Sequence, residues 1–502
     1  MSLLDVFSRS AGRIPERPAF LFRERRLTYG ELEAAARIAA ALLRRSGVRP
    51  GERVCLMLPN LPEFGIGYLG ILMAGATVVP LNPQLKTEEV RYILEDSGAT
   101  AMACLQASLP LLHAARQGLG RPIPAVVMDA PAETAGDCSF LDPPPDLAPV
   151  AAATCHADED IAACLYTSGT TGRPKGAQLS HRNLVANLES FRQVLHLTEA
   201  DVFLAVLPLF HAYGGTVLFW EPLSLGATIV VEPRFVPDVI LKAILRYRVT
   251  MFAGVPSMYA VLAGAPRPPG DFSALRLCIS GGAPLPPEVL RAFEANYGIP
   301  IYEGYGPTEC APVLTVNPPF GKRKIGSVGL PLPQVELRIV DGQGKPLPRG
   351  AVGEIVAKGP NVMRGYLNRP EATAEVLRDG WYHTGDLGRM DEEGYFYIMD
   401  RKTDLILVGG LNVYPREVEL VLCEHPGVAE AAVIGMPDPV RGEAPKALVI
   451  LREGEKVSVQ ELLQWCRQRL ANYKVPRSVV MVADLPRTVT GKILKTELRE
   501  SA

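Results

Sequence analysis

The chain has no excess of charge of either sign. Its 52 Lys+Arg and 54 Asp+Glu leave a formal net charge of −2 over 502 residues. Neither sign collects into a long tail, so the basic footprint of a nucleic-acid binder is missing. Cysteine pairs at redox or metal spacing are missing too. The nine cysteines stand at 55, 104, 138, 155, 164, 278, 310, 423 and 466. None forms C-x-x-C, and no His/Cys cluster has zinc spacing. Several lie in apolar runs such as "IAACLY", the pattern of buried reduced thiols in a cytosolic protein. The opening "MSLLDVFSRSAGR" has an aspartate at position 5 and no apolar h-region, which argues against a signal peptide. Residues 202–220 carry no formal charge and are about as long as a membrane span. They contain Pro208, His211 and the pair Gly214-Gly215, so a packed interior beside a pocket is expected instead. Peripheral contact with a membrane surface stays open. There is no internal repeat, no low-complexity tract and no signal of oligomeric state.

What is there reads as a folded chain of more than one core. Apolar residues make up 48% and charged residues 21%, and 502 residues exceed one ordinary hydrophobic core. "TYGELEAAARIAAALLRRSG" predicts a helix, with Thr28 and Glu31 as a capping box and Gly47 as its stop. "RVCLML" and "ATVVPL" predict buried strands around a helical run at 64–74. "IAACLY" predicts another strand, and Ser180 caps a helix with Leu184, Leu188, Phe191 and Leu195 on one face. This alternation predicts α/β layers. Residues 131–150 are proline-rich and expected to be loop, whereas "RIVDGQGKPLPRGAVGEIVAKG" predicts short strands in a β-rich section. After about residue 400 the pattern restarts. Strands are expected at 428–434, 447–451 and in "SVVMVA". A helix is expected from a Ser458/Glu461 capping box through Leu470, and a closing helix at 492–500. The fold expected is a large α/β N-terminal domain with a β-rich subdomain, followed by a small α+β C-terminal domain.

One stretch cannot serve a core. "YTSGTTGRPKGA", residues 166–177, crowds hydroxyls, glycines and two cations together. Its glycines allow successive backbone N–H groups to face one point. Thr167, Ser168, Thr170 and Thr171 add hydroxyl donors, and Lys175, with Arg173 nearby, adds positive charge. This describes a cradle for polyphosphate. It is neither a Walker A loop, since Lys175 is followed by glycine, nor a G-x-G-x-x-G turn. A generic loop of this composition is more often a flexible surface segment, but the whole ordered string speaks against that.

Four further stretches accompany it: "YGPTE" at 305–309, "YHTGD" at 382–386, "DRKTDLILVGGLNVYPREVE" at 400–419 and "PRTVTGKILK" at 486–495. Together, and in this order, the five resemble the adenylate-forming superfamily of acyl-CoA synthetases, luciferases and peptide-synthetase adenylation domains. The resemblance runs nearly end to end and is closest in texture to the fatty-acid–CoA ligase branch. It implies an AMP-forming acid–thiol ligase. A carboxylate attacks the α-phosphorus of ATP, pyrophosphate leaves, and a thiol, usually that of coenzyme A, displaces AMP from the acyl-adenylate. No protein nucleophile is needed, and no Cys/His or Ser/His/Asp constellation is evident.

The resemblance also assigns roles. Thr167, Ser168, Gly169, Thr170, Thr171, Gly172 and Lys175 are expected on the phosphates. Gly281, Gly282 and Ala283 of "SGGAPL", with Glu303, Gly304, Tyr305, Gly306 and Thr308, are expected along the nucleotide, Tyr305 stacking on adenine. Glu309 is the expected Mg²⁺ ligand. Asp386 and Arg401 are expected on the ribose hydroxyls. Lys492 is the expected adenylation lysine, placed between α-phosphate and carboxylate where negative charge grows in the transition state. His211 is expected beside the acyl entrance, as gate or carboxylate neighbour. Residues 1–399 are the expected large domain, 400–403 a hinge and 404–502 a mobile small domain. The hinge contains Arg401 and Thr403, the latter where the family commonly has aspartate or lysine. Gly409, Gly410 and Leu411 are expected to line a pantetheine tunnel after rotation.

The expected acyl wall comprises Phe210, His211, Tyr213, Gly214, Val217, Gly282 and Ala311. None is a lysine or arginine, and a second buried carboxylate needs such a partner. A medium- or long-chain fatty acid is therefore expected, with Gly214 and Gly282 leaving space for it. Aromatic acids and malonyl-type acids are the alternatives, as is loading of a carrier protein's pantetheine. A non-enzymatic ATP sensor is disfavoured because Lys175, Glu309, Asp386 and Lys492 occur together. The expected partners are a small carboxylic acid, ATP with Mg²⁺, and coenzyme A, in the cytoplasm.

Overall fold

The computed structural model describes residues 1–131, 136–150, 156–167, 173–488 and 493–500. Its first large sheet has eight strands. Arg53–Met57, Thr77–Pro80, Ala101–Cys104 and Ala125–Val127 run parallel at its centre. They are short, buried and apolar, as strands covered on both faces must be. Ile161–Thr167 joins beside Val78 and turns back as Lys175–Ser180, antiparallel, with Thr167 opposite Lys175. The cradle sequence thus spans the end of a hairpin. The expected loop at 131–150 contains a two-residue strand, Cys138–Ser139, on the far edge.

The second sheet has nine strands. Val202–Ala205, Thr228–Val231, Met251–Gly254, Leu277–Ser280 and Ile301–Tyr305 are parallel. The uncharged run at 202–220 divides into the first of these strands, a loop, and a π-helix at Gly214–Trp220. No described helix is long and apolar enough to cross a membrane.

Helix Tyr29–Arg45 begins with the Thr28/Glu31 box and ends before Gly47, whose φ is +93°. It packs on Pro62–Met73, where a Cβ on Gly70 would stand 2.7 Å from that of Ala39. Close approach here needs the glycine. Ser180 caps His181–Leu195 with Asn183 completing a box. The β-rich section is a five-stranded antiparallel sheet containing Glu336–Val340, Gly353–Lys358, Trp381–Met390 and Phe396–Arg401.

The small domain has its own core, including Ile406, Val413, Val418, Leu422, Val433, Val449 and Leu462. Its central strands are longer than the apolar pattern indicated, Val428–Asp438 against Gly442–Leu451. Hairpin pairing carries the ladder past the last apolar residue into Pro437–Gly442. Helix Val459–Arg467 stops short of Leu470, and its box is half formed. Ser458 accepts the Glu461 N–H at 3.1 Å, but the Glu461 carboxylate lies 3.4 Å from His425 instead of returning to the cap. The last described helix, Lys495–Glu500, begins later than expected.

Candidate active site

Residues from two sheets meet at one buried carboxylate. Glu309 lies in the short 3-10 turn Thr308–Cys310, just beyond strand Ile301–Tyr305. Its backbone carbonyl accepts the Met363 N–H at 2.8 Å. Its Oε1 accepts the Tyr366 hydroxyl at 2.8 Å and lies 3.5 Å from the Thr167 hydroxyl. Tyr366 sits on the two-residue strand Gly365–Tyr366, which pairs with the cradle hairpin at Ala177. Lys175 places its ammonium 5.4 Å from the Tyr366 ring centroid. Lys175 and the acidic turn are therefore joined through one tyrosine. That residue carried no periodic signal; a tyrosine in the polar stretch "RGYLNRP" was the only hint. Ser168, Gly169, Thr170, Thr171 and Gly172 lie outside the described residues, as does Lys492.

A second knot lies beside the first. The Tyr305 hydroxyl donates to Asp386 Oδ2 at 2.6 Å, while Arg401 Nε is 3.3 Å from Oδ1. Burial first, and the Asp386 charge second, push the Tyr305 hydroxyl well above its ordinary range, so it remains a donor. Asp386 and Arg401 face each other in register on neighbouring strands. Beneath them, Glu354 receives the Gly385 N–H and contacts His383 Nδ1 at 3.2 Å and Lys402 Nζ at 3.4 Å. Burial opposes the Glu354 charge, but the His383 bond and the Lys402 charge outweigh it and hold the carboxyl below its usual range. This support for the Asp386 loop was not anticipated.

The nucleotide-side glycines line the adjoining strands. Ser280 pairs with Glu303, so "SGGAPL" leaves the sheet next to strand Ile301–Tyr305. Glu303 accepts the Leu285 N–H at 3.1 Å, just beyond Ala283, and burial pushes its carboxyl up to about 7. Gly304 pairs with Val316. Gly306 has no room for a side chain: a Cβ would collide with the Pro312 carbonyl. Gly282 has φ +82°, and a Cβ there would stand 3.6 Å from Val255 Cγ1, in ordinary van der Waals contact.

On the acyl side, His211 Nδ1 accepts the Tyr213 N–H at 3.2 Å, and burial lowers the imidazole to about 4. It is uncharged at neutral pH. The Tyr213 hydroxyl donates to the Ile279 carbonyl at 3.2 Å, and its ring lies 3.2 Å from where Gly281 would carry a Cβ. Phe210 is partly buried against the main core. Ala311 is fully buried, with φ +65°, at the end of the Glu309 turn. Gly214 does not leave space: its side-chain direction is filled by the Pro208 carbonyl. Val217 is fully buried in the main core.

Gly409 and Gly410, with φ +59° and +81°, form the two-residue turn joining Ile406–Val408 to Leu411–Val413. Both torsions are those a type I′ hairpin demands. Leu407 and Leu411 are half exposed on this hairpin. Thr403 is exposed, and the neighbouring Lys402 N–H donates to Gly385 O at 2.8 Å.

Sequence comparison identifies the family to which these elements belong. Residues 7–367 match the AMP-binding enzyme family and residues 417–492 its C-terminal domain. A feruloyl-CoA synthase from Amycolatopsis is 42% identical, covering 94% of this chain and 93% of its own. A long-chain-fatty-acid–CoA ligase from Bacillus subtilis (strain 168) is 38% identical over 99% of this chain and 94% of its own. Among solved structures, ATP-bound MatB from Rhodopseudomonas palustris is 35% identical, covers 100% of this chain and 99% of its own, and superposes with TM-score 0.93. The apo structure of that protein gives 0.81 at 36% identity, with the same coverage. The chain belongs to the AMP-binding enzyme family. It is an ATP-dependent acyl-CoA synthetase that works through an acyl-adenylate, with coenzyme A as co-substrate and Mg²⁺ as the metal.

Proposed function

We propose that the acid activated here is a monocarboxylate with an uncharged, apolar tail, in the first instance a medium- or long-chain fatty acid. The carrying observation is electrostatic. Phe210, Tyr213, Val217, Gly282 and Ala311 bear no charge, and His211 is held neutral by burial. A second carboxylate would meet no counter-charge there and would remain costly to bury. An aryl acid is the second reading. The Tyr213 ring, tied to Ile279 and within 3.2 Å of where Gly281 would carry a Cβ, offers an aromatic wall for a planar ring, and a feruloyl-CoA synthase is among the relatives.

The residues divide the work as follows. The cradle from Thr167 to Lys175 binds the triphosphate. Glu309, a hard oxygen ligand beside Lys175, fits Mg²⁺, which when bound draws off phosphate charge. Tyr305 and Arg401 fix Asp386 from two sides. Each oxygen keeps a lone pair to accept a ribose hydroxyl. The carboxylate then attacks the α-phosphorus and pyrophosphate leaves. Lys492 stabilises the charge shared by the entering carboxylate and the α-phosphoryl oxygens. Rotation of residues 404–502 about 400–403 removes Lys492 and brings the Gly409–Gly410 hairpin to guide the thiol, which displaces AMP.

The test is AMP release with dodecanoate, ferulate, benzoate and malonate, each with and without coenzyme A. The proposal expects coenzyme A-dependent release with dodecanoate highest. A ferulate optimum moves the assignment to the aryl reading. A malonate optimum overturns the electrostatic argument. Pyrophosphate exchange without coenzyme A-dependent turnover points to carrier loading.

A further inference from the structure

Six charged side chains gather where the small domain meets the hinge: Asp400, Asp404, Arg416, Glu419, Lys495 and Arg499. They touch the residues assigned above only at Arg401, whose backbone N–H donates to Asp400 Oδ1 at 2.9 Å. Asp400 pairs in register with Leu387, so its backbone belongs to the large domain. Its side chain reaches the small one. Oδ2 accepts the Arg416 N–H at 2.7 Å, at the start of helix Pro415–Cys423. Lys495 opens the last helix and sets its ammonium 2.7 Å from Glu419 Oε1 on that same Pro415–Cys423 helix. The charges of Asp400 and Asp404 act on this ammonium as well. The side chains of Lys495 and Glu419 are only 15% and 7% exposed, so salt screens them weakly. One turn further on, Arg499 bonds Asp404 at 2.6 Å.

The cluster divides unevenly if the small domain turns about residues 400–403. Lys495, Glu419 and Arg416 travel together, so the Lys495–Glu419 pair survives. Asp400 stays behind. It keeps the Arg401 N–H on Oδ1 but loses the Arg416 N–H on Oδ2 and the Lys495 charge, and a buried carboxylate that gives up a donor and a cation without replacement is costly. The arrangement in which these contacts exist is thereby favoured, and it resembles that of an ATP-bound relative.

We propose that Asp400, through the Arg416 N–H, and Lys495, through Glu419 on the same helix, form a latch across the hinge. They are positioning residues that hold the small domain in the adenylate-forming arrangement and part when it turns to admit the thiol. This rests on the hinge and on the role given to Lys492. Lys492 stands three residues before Lys495 and is delivered by the same segment.

Two half-reactions test it, using the acid of highest turnover in the panel above and its adenylate. Pyrophosphate release in a single turnover reads the first, and coenzyme A-dependent consumption of supplied adenylate reads the second. Asp400→Asn and Lys495→Met are each expected to slow the first half-reaction roughly tenfold and to leave the second unchanged or faster. Lys495→Arg restores the first. The double variant is expected to be no slower than the slower single one, because both remove one coupling. Parallel loss in both half-reactions, or additive losses in the double variant, overturns the latch. Should Lys495→Met unfold through its stranded Glu419, Asp400→Asn decides alone. Lys492→Ala run alongside separates the two ideas. If it spares adenylate formation, the Lys492 role fails, and a split in Asp400→Asn still supports the latch. If it blocks adenylate formation while Asp400→Asn shows no split, the latch alone fails.

Discussion

The Tyr366 hydroxyl orients Glu309, the carboxylate proposed to hold the metal. Tyr366 donates to Glu309 at 2.8 Å, while its ring flanks Lys175. Hydrogen bonds to a charged partner are worth about 1.5–3 kcal/mol, so losing this one should free Glu309 to swing without disturbing the fold. Tyr366→Phe is expected to raise the Mg²⁺ concentration for half-maximal rate roughly tenfold, with the melting temperature nearly unchanged. Titration of activity against Mg²⁺ checks it; an unaltered Mg²⁺ requirement would remove Tyr366 from the site. Gly306 makes a sterner demand. Because a Cβ there meets the Pro312 carbonyl, Gly306→Ala should shift the whole 305–309 turn. ATP binding, read by calorimetry, is expected to fall well below wild type even in protein that remains folded.

Strand Ile301–Tyr305 carries its own pH signature. Burial lifts Glu303 from 4.5 to about 7. A carboxyl with a raised folded pKa holds its proton when the unfolded chain has released it. The folded state is therefore progressively disfavoured as pH rises from about 4.5 to about 7. The shift corresponds to roughly 3 kcal/mol once both states are ionised. Glu303→Gln keeps an acceptor for Leu285 and cannot ionise. Relative to wild type, it is expected to gain stability between pH 5 and pH 8, as urea midpoints would record; a difference independent of pH in that range would contradict the buried proton. His211 works in the opposite sense, since burial lowers it from 6.5 to about 4 and its contribution is lost as pH falls through that interval.

The elements most legible in the sequence were those set by short-range chemistry. The Thr28 and Ser180 caps, the cradle hairpin and the buried strands around Pro62–Met73 follow from neighbours within a few residues. Contacts decided by distant partners were not legible. Nothing near Glu461 announces that His425 will hold its carboxylate. Nothing near Tyr305 announces Asp386, 81 residues away. Gly214 looked like space because its packing partner, Pro208, acts through a backbone carbonyl that composition does not show. The latch residues were not legible for the same reason: nothing local to Glu419 or Lys495 announces that the chain between them folds back to pair them at 2.7 Å.

At the scale of the molecule, two domains are joined by a short exposed strap. Ile406, Val413, Val449 and their neighbours close the small domain without help from the large one. Between the domains run Lys402 and Thr403, both exposed. Lys402 is held by its backbone to Gly385 and by its ammonium to Glu354. Local opening of such a segment costs far less than global unfolding, so trypsin should cut after Arg401 or Lys402 before it attacks either domain. The expected products end and begin at this strap, one containing the Glu309–Asp386 site and the other residues up to the C-terminal helix. On the proposed ribose role of Asp386 and Arg401, bound ATP would stabilise the strap against opening, because a ligand that binds the closed form alone shifts the balance by mass action. Cleavage is therefore expected to slow with ATP, Mg²⁺ and a good acid, and to speed up when coenzyme A is added and the small domain turns. Gel electrophoresis of timed digests reads this directly. Equal rates under all three conditions would mean that the two domains do not move relative to each other during turnover.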